Sequence, residues 1–287
     1  MSRERPLRFA VVGHVEWVDF LQVTRVPLPG QIVAADEAWE EAAGGGAVAA
    51  VQLAKLAGTA TFFTALGNDD RARSARAQLQ SQGVEVEAAV RNAPQRRAVA
   101  FLDARGERTI TVLGDRLVPS GRDDLPWDRL TEMDGVYFTG GDASALQCAR
   151  AAGTLVATAR ARGALTGSPV VLDALVRSAD DEGEQDDPKR LGWSARMIFT
   201  TRGSEGGTYA ASEGRTGSFE AAPLAGPIAD TYGAGDSFAG GLTFGLGSGM
   251  SVDAALAVAA RCGAANLLGR GPYTGQLTAT GLNLPRS

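Results

Sequence analysis

Short apolar runs along this chain alternate with longer stretches in which apolar residues recur every three or four positions, and that alternation predicts strands separated by helices. The first run, Arg8-Phe9-Ala10-Val11-Val12-Gly13, reads as a buried strand ending on glycine. His14 to Phe20 alternates polar and apolar residues as an edge strand does, and Val26-Pro27-Leu28-Pro29-Gly30 is a turn-rich connection. Ala43-Gly44-Gly45-Gly46-Ala47 then leads into a helix that carries Val48, Val51 and Leu56 and stops at Gly58. Residues 59–66 form the next strand, and Gly67-Asn68-Asp69-Asp70 turns the chain and caps a helix running through Gln82. Residues 97–103 and 107–113 read as a hairpin through Ala104-Arg105-Gly106, with no helix after either arm. Together with the strand after Gly13 it predicts a small lid, drawn from residues 14–40 and 95–115, that packs over a ligand and excludes water.

The regular alternation resumes with a strand at 135–139, a long alanine-rich helix from Ala143 to Arg162, and strands at 169–173 and 197–201. Two short strands near 208–211 and 218–221 precede a pair of helices, the second running from Val252 to Leu268 behind a Ser251 cap. The fold expected is α/β, a mostly parallel sheet covered by helices, with the whole of 1–287 as a single domain.

Composition narrows the function classes. A length of 287 residues, 44% apolar and 21% charged, is that of a globular enzyme-sized domain, and no run is long enough to span a membrane. The opening MSRERPLRFAVVG has too short an apolar core for a signal peptide, so the expectation is a cytoplasmic protein. A net charge of −5 and the lack of a basic run argue against a nucleic-acid partner. With His14 as the sole histidine, a histidine zinc site or a Ser-His-Asp triad lacks its parts, and Cys148 and Cys262 read as buried thiols.

The chemistry concentrates in Asp230 to Gly241, DTYGAGDSFAGG. Gly233-Ala234-Gly235 precede a helix marked by Phe238 and Leu242, and a glycine-rich turn at a helix N-terminus is an anion cradle suited to phosphate. Asp236 beside such a cradle points to proton removal during phosphoryl transfer. Gly44, Gly45 and Gly46 allow two readings, a flexible loop or close backbone approach to a ligand. So does the acidic cluster of Asp180, Asp181, Glu182, Glu184, Asp186 and Asp187: a solvated loop, or a carboxylate that reaches magnesium through water.

The 230–241 string resembles the C-terminal signature of the PfkB, or ribokinase-like, carbohydrate and nucleoside kinases, D-T-x-G-A-G-D followed by a small-residue helix. Gly44-Gly45-Gly46 through Gly67-Asn68-Asp69 is similar to the family's N-terminal glycine signature, the 97–113 hairpin to its lid, and Thr201, Gly203 and Gly206 to its T-x-G-x-x-G nucleotide loop. The resemblance implies a three-layer α/β/α sandwich and a kinase that moves the γ-phosphoryl group of ATP to an alcohol of a sugar, sugar derivative or nucleoside. It makes Asp236 the base and the amides of Gly233, Ala234 and Gly235 the anion hole. Thr201, Gly203, Gly206, Ala260 and Gly263 would line the nucleotide. It also implies Mg²⁺ reached through Glu184, with Asp181 where the family has Asn, and a monovalent cation such as K⁺ near Asp230, where a turn-capping role is equally compatible. Dimerisation through the lid is compatible with the resemblance.

Two departures fall on the acceptor side: Val18 stands where the family places a sugar-binding Asp, and Val48 where it places an Asn. Glu16, Asp19 and Asp36 are candidates to take over, and Glu16, Gly44 and Gly45 are the expected substrate contacts. The competing reading is a non-catalytic binding or sensory protein that kept the kinase fold. A dinucleotide fingerprint fails for want of its last glycine, and GLGSGMS at 245–251 lacks the P-loop lysine.

Overall fold

The computed structural model describes residues 5–184 and 192–282. Its spine is β1 (Phe9–Val12), fully buried and paired in parallel on both sides, as expected of a short unbroken apolar run. After Gly13 the chain leaves the sheet for β2 (Glu16–Gln22) and β3 (Glu37–Ala43), then returns through α1 (Gly45–Ala57), β4 (Ala60–Leu66), α2 (Asp70–Ser81) and β5 (Val84–Val90). The Asp69 side chain accepts from the Ala72 amide at 3.0 Å and starts α2 where the sequence places it.

β6 (Arg97–Leu102) and β7 (Arg108–Leu113) are the hairpin, and with β2 and β3 they make a four-stranded sheet in the order β3-β2-β6-β7. This is the lid. β8 (Gly135–Phe138), α3 (Ala143–Ala149), β9 (Thr154–Thr158), α4 (Arg162–Leu165), β10 (Val171–Ser178), β11 (Ser194–Thr201), β12 (Gly207–Ala211), β13 (Thr216–Phe219), α5 (Ala234–Gly247) and α6 (Val252–Asn266) complete the chain. The main sheet has nine strands in the order β13-β12-β11-β10-β9-β8-β1-β4-β5, parallel from β11 to β5 and antiparallel at β12 and β13.

The long helix expected from Ala143 to Arg162 does not form. α3 ends at Ala149, and Gly153 releases the chain into β9, whose Thr154, Val156 and Thr158 are β-branched. Pairing decides this: Val156 lies between Tyr137 of β8 and Ala174 of β10, so without β9 the sheet would be split. The strand expected at 169–173 likewise begins at Val171 and runs on to Ser178. β3 and β5 carry charged residues at alternate or successive positions and gave no apolar run to read. Asp186 and Asp187 lie outside the described residues.

Successive residues of a strand face opposite layers, so Phe62 joins the core under α1, α5 and α6 while Phe63 joins the core under α3 and stacks on Trp127 at 5.1 Å. α5 approaches both neighbours closely: a Cβ at Gly240 would stand 3.3 Å from the Ala49 carbonyl of α1, and one at Gly241 would stand 2.9 Å from Cys262 Sγ of α6. The 267–282 segment is bound over α1, where Gln276 Nε2 donates to the Val48 carbonyl at 2.9 Å and Gln52 Nε2 to the Leu277 carbonyl at 2.8 Å. No helix among the described residues is long and apolar enough to cross a membrane.

Candidate active site

The candidate cleft lies at the carboxyl ends of the parallel strands, the usual ligand side of such sheets, where the lid tip meets the 230–241 motif. α5 begins there. Gly233 holds φ at 84°, the left-handed region, and a Cβ on it would meet Val48 Cγ1 at 2.9 Å. No side chain caps the helix, so the amides of Ala234, Gly235 and Asp236 lack intrahelical acceptors, and nothing stands within 4 Å of where a Gly235 side chain would project.

Asp236 sits in the first turn of α5, and its carboxylate accepts no hydrogen bond from the described residues. Burial raises its pKa to about 6, against the opposing charges of Arg160 and Arg108 and with the help of Glu184 and Glu16. The glycine loop meets it directly: a Cβ at Gly45 would lie 2.7 Å from Asp236 Oδ1. At Gly44, φ is 88°, and a Cβ would lie 3.3 Å from Glu16 Cγ and 3.4 Å from His14 Cδ2. These glycines let the loop approach the side chains of Asp236, Glu16 and His14 closely. The Gly44 amide donates to the Tyr232 hydroxyl at 3.1 Å, and the Tyr232 ring meets Phe20 of the lid edge-on at 5.0 Å. One tyrosine thus joins glycine loop, lid and cradle.

Glu16, Val18 and Phe20 share the buried face of β2, whereas Asp19 points the other way and pairs with Arg97 at 2.7 Å. Asp36 is exposed beside Thr24. Of the three acids considered for the acceptor, only Glu16 is in the cleft, its pKa raised by burial against the pull of Arg96 and Arg116. Val18 and Val48 are fully buried.

On the nucleotide side, Thr201 ends β11, and Gly203 and Gly206 bracket a single helical turn beside a cavity of about 570 Å³ lined by Ala179, Asp180, Arg202, Gly203, Ser204 and Glu205. Gly263 of α6 packs on the start of α5, where a Cβ would lie 3.3 Å from the Ala234 carbonyl, and Ala260 lies one turn earlier. Open amides on one side and the cavity beside Gly203 on the other could take the phosphates and the base end of a nucleoside triphosphate.

The metal candidates carry hydrogen bonds within the protein. Glu184 is buried, accepts from Arg160 Nε at 2.6 Å and from the Ser178 amide at 2.7 Å, and Arg160 also pairs with Asp181. Asp230 Oδ1 accepts from the Tyr232 amide at 2.8 Å and Oδ2 from the Gly271 amide at 2.9 Å, a turn cap that ties the motif to the C-terminal segment. No group of three or more His, Cys, Asp or Glu side chains among the described residues is placed to hold a metal ion.

Several cleft residues carried no local signal. Arg160 lay inside the stretch read as helix, Arg96, Arg108 and Arg116 belong to the lid and its return, and Tyr232 occupies the motif's free position. The lid reaches the motif at its tip, where the Gly106 carbonyl accepts from the Thr231 amide at 3.1 Å and Arg108 donates to the Thr231 carbonyl at 2.6 Å.

Comparison with known proteins gives a consistent picture. The family model for pfkB family carbohydrate kinases matches residues 7–185 and 172–279. An ATP-dependent ribose-1-phosphate kinase of Halopiger xanaduensis is 28% identical over 272 residues, 90% of this chain and 91% of that one. Among solved structures, the ribokinase of Thermotoga maritima superimposes with a TM-score of 0.77 at 20% identity, covering 96% of this chain and 98% of that one. Arabidopsis thaliana ribokinase, solved with ribose and ATP, gives 0.77 at 19% identity, covering 97% and 98%. Sinorhizobium meliloti adenosine kinase gives 0.75 at 18% identity, covering 97% and 99%. At these identities the structures show a shared fold.

Proposed function

We propose that this chain, which belongs to the pfkB family of carbohydrate kinases, transfers the γ-phosphoryl group of ATP to an alcohol through Asp236. The acceptor hydroxyl gives its proton to the Asp236 carboxylate as its oxygen forms a bond to the γ-phosphorus. The bond from that phosphorus to the bridging oxygen breaks, and ADP leaves. The amides of Gly233, Ala234 and Gly235 meet the phosphoryl oxygens as negative charge builds, and Arg160 supplies the strongest positive field at Asp236. Thr201, Gly203, Gly206, Ala260 and Gly263 hold the nucleotide. Glu16, Gly44 and Gly45 face the acceptor, an alcohol of a sugar, sugar derivative or nucleoside, a class that includes the ribose 1-phosphate in the name of the archaeal relative. Glu184 would hold Mg²⁺ through water, and the ion would screen the phosphates of the nucleotide.

The observation that carries this reading is the Asp236 carboxylate, free of hydrogen bonds from the described residues and in contact with both the glycine loop and an uncapped helix N-terminus. The test is Asp236→Asn: ADP formation should fall by at least ~10³-fold while calorimetric binding of an ATP analogue stays within threefold. Turnover equal to wild type refutes the base assignment. A homodimer would form through β7, which leaves Ile110, Val112 and Leu113 exposed; sedimentation should then show Val112→Lys as a monomer, and identical masses for variant and wild type would discard that interface.

A further inference from the structure

The two halves of the site stand on different helices. Gly45 belongs to the first turn of α1 and Asp236 to the first turn of α5, and a Cβ at Gly45 would lie 2.7 Å from Asp236 Oδ1. Neither turn secures itself. α1 follows Gly44 and α5 follows Gly233, both at positive φ, and no side chain caps either helix. First turns of this kind fray readily, because glycine gives up the most conformational freedom on ordering and the leading amides have no intrahelical acceptor. The two helices share no direct hydrogen bond among the described residues, and none fixes the Asp236 carboxylate.

What joins them comes from the end of the chain. Gln276 Nε2 donates one proton to the Val48 carbonyl of α1 at 2.9 Å and the other to Ser237 Oγ of α5 at 3.2 Å. Val48 follows Gly45 by three residues, on the same face of α1, and Ser237 is the residue after Asp236. The amide can sit only one way round: a carbonyl oxygen accepts and never donates, so the nitrogen must face Val48, and Gln276 Oε1 is left buried without a partner. For packing alone, a glutamine with an unsatisfied buried oxygen is a poor choice. The segment that carries it is anchored on both sides. Before it, the Gly271 amide donates to Asp230 Oδ2 at 2.9 Å, the Tyr273 hydroxyl to the Ala42 carbonyl, and Lys55 Nζ to the Tyr273 carbonyl. After it, Gln52 Nε2 donates to the Leu277 carbonyl at 2.8 Å and the Ala279 amide to the Lys55 carbonyl at 3.1 Å.

We propose, resting on the kinase reading above, that Gln276 is a positioning residue for the phosphoryl transfer: by tying the first turns of α1 and α5 to the C-terminal segment, it sets Asp236 against the glycine loop. It acts through Asp236 and touches no substrate. Its effect falls on the chemical step, because displacing a base from the hydroxyl it deprotonates lowers the rate far more than it lowers binding. Gln52 supplies the internal control. It is as buried as Gln276, lies one turn after Val48 on α1, and bonds the same C-terminal segment. It meets α5 only at Gly240, a full turn beyond Asp236, where a Cβ would lie 3.3 Å from Gln52 Cγ.

The experiment compares Gln276→Met with Gln52→Met, each of which keeps the bulk of the side chain and removes its hydrogen bonds. Ribose, ribose 1-phosphate and adenosine are offered with ATP and Mg²⁺, turnover is read as ADP, and the best acceptor is used for all variants. Gln276→Met should cut kcat at least ~30-fold while the KM for ATP and for the acceptor stay within about threefold of wild type. The acid limb of its pH–rate profile, set by Asp236 in the fields of Arg160, Arg108, Glu184 and Glu16, should move down by about one unit or more, because a base loosened toward water loses the burial that raises its pKa. Gln52→Met should lower Tm to a similar extent and leave kcat within about threefold and the acid limb unmoved. Should Gln276→Met fail to fold, Ser237→Ala, which cuts only the arm to α5, should lower kcat at least ~5-fold with the same KM pattern. Unchanged kcat in the variant used, or equal kcat losses in it and Gln52→Met, overturns the proposal and leaves the kinase reading standing. If wild type forms no ADP, the kinase reading fails, and carbon-13 NMR titration of the Asp236 carboxyl, assigned through Asp236→Asn, decides the rest. An Asp236 pKa lowered in Gln276→Met and not in Gln52→Met keeps the positioning role, and the same value in wild type and Gln276→Met, or the same shift in both variants, overturns it.

Discussion

Asp236→Asn should stabilise the fold while it removes turnover, and the two effects have one cause. A carboxyl group held at a pKa of about 6 in the folded chain, against 3.8 as the ordinary value, costs about 3 kcal/mol once ionised. The sign follows from proton binding. Between the unfolded and folded pKa values the native state binds more protons than the unfolded chain, so the penalty is absent below pH 4, grows through pH 6, and is complete at pH 8. Asparagine has the same shape and no charge, and so escapes the penalty. For a chain of 287 residues, 3 kcal/mol corresponds to roughly 5 °C in Tm. The assay is a pair of thermal melts of wild type and variant at pH 4 and pH 8. The variant should melt about 5 °C higher at pH 8 and together with wild type at pH 4. In parallel, kcat/KM of wild type should fall tenfold per pH unit below about pH 6, as the base takes up its proton. A variant that melts lower than wild type at pH 8 would show the carboxylate to be a stabilising partner, and the argument for a strained base would fail.

Two other substitutions probe the surroundings of that acid. Gly45→Ala places a methyl 2.7 Å from Asp236 Oδ1, in rigid helical backbone, and should cut kcat by at least about 10²-fold with Tm changed by only a few degrees; wild-type kcat would show that the two groups do not need to meet. Tyr232→Phe removes the acceptor of the Gly44 amide while keeping the ring against Phe20, so it should cost about 1–3 kcal/mol in chemical denaturation and raise the acceptor KM more than the KM for ATP. Equal rises in both would mean that Tyr232 does not position the glycine loop specifically.

How much of this was legible in the sequence depends on how far apart the cooperating residues lie. The cradle is local: glycine, small residue, glycine and acid are consecutive, and the helix they start is fixed by its own pattern, so Gly233 to Asp236 could be read directly. The lid hairpin was also readable, because β6 and β7 alternate and turn within a few residues. β9 was not, because Thr154 to Thr158 follows an alanine-rich helix and becomes a strand only through β8 and β10, partners outside any local window. Glu184 shows the same limit in the site. Its buried pairing with Arg160 joins two segments that share no sequence pattern, so the partner of that carboxylate could not be read from the acidic cluster. The two arginines around Glu16, Arg96 and Arg116, lie on either side of the β6–β7 hairpin, and only folding brings them to that acid.

The glycines that let α5 lie close to α1 also set the order in which this molecule can be built. The ribosome delivers β1 to β5 and α1 early, yet α1 is covered by α5 and by the 267–282 segment, which are synthesised last. A nascent chain released up to β13 therefore carries an assembled sheet whose alanine- and valine-rich helix, Ala47 to Leu56, still faces water. Asp236 arrives with the very element that covers it. The chain acquires Asp236, the Gly233–Gly235 turn and the layer over α1 together, so chaperone dependence and loss of activity should travel together in any variant that weakens the seam between α1 and α5.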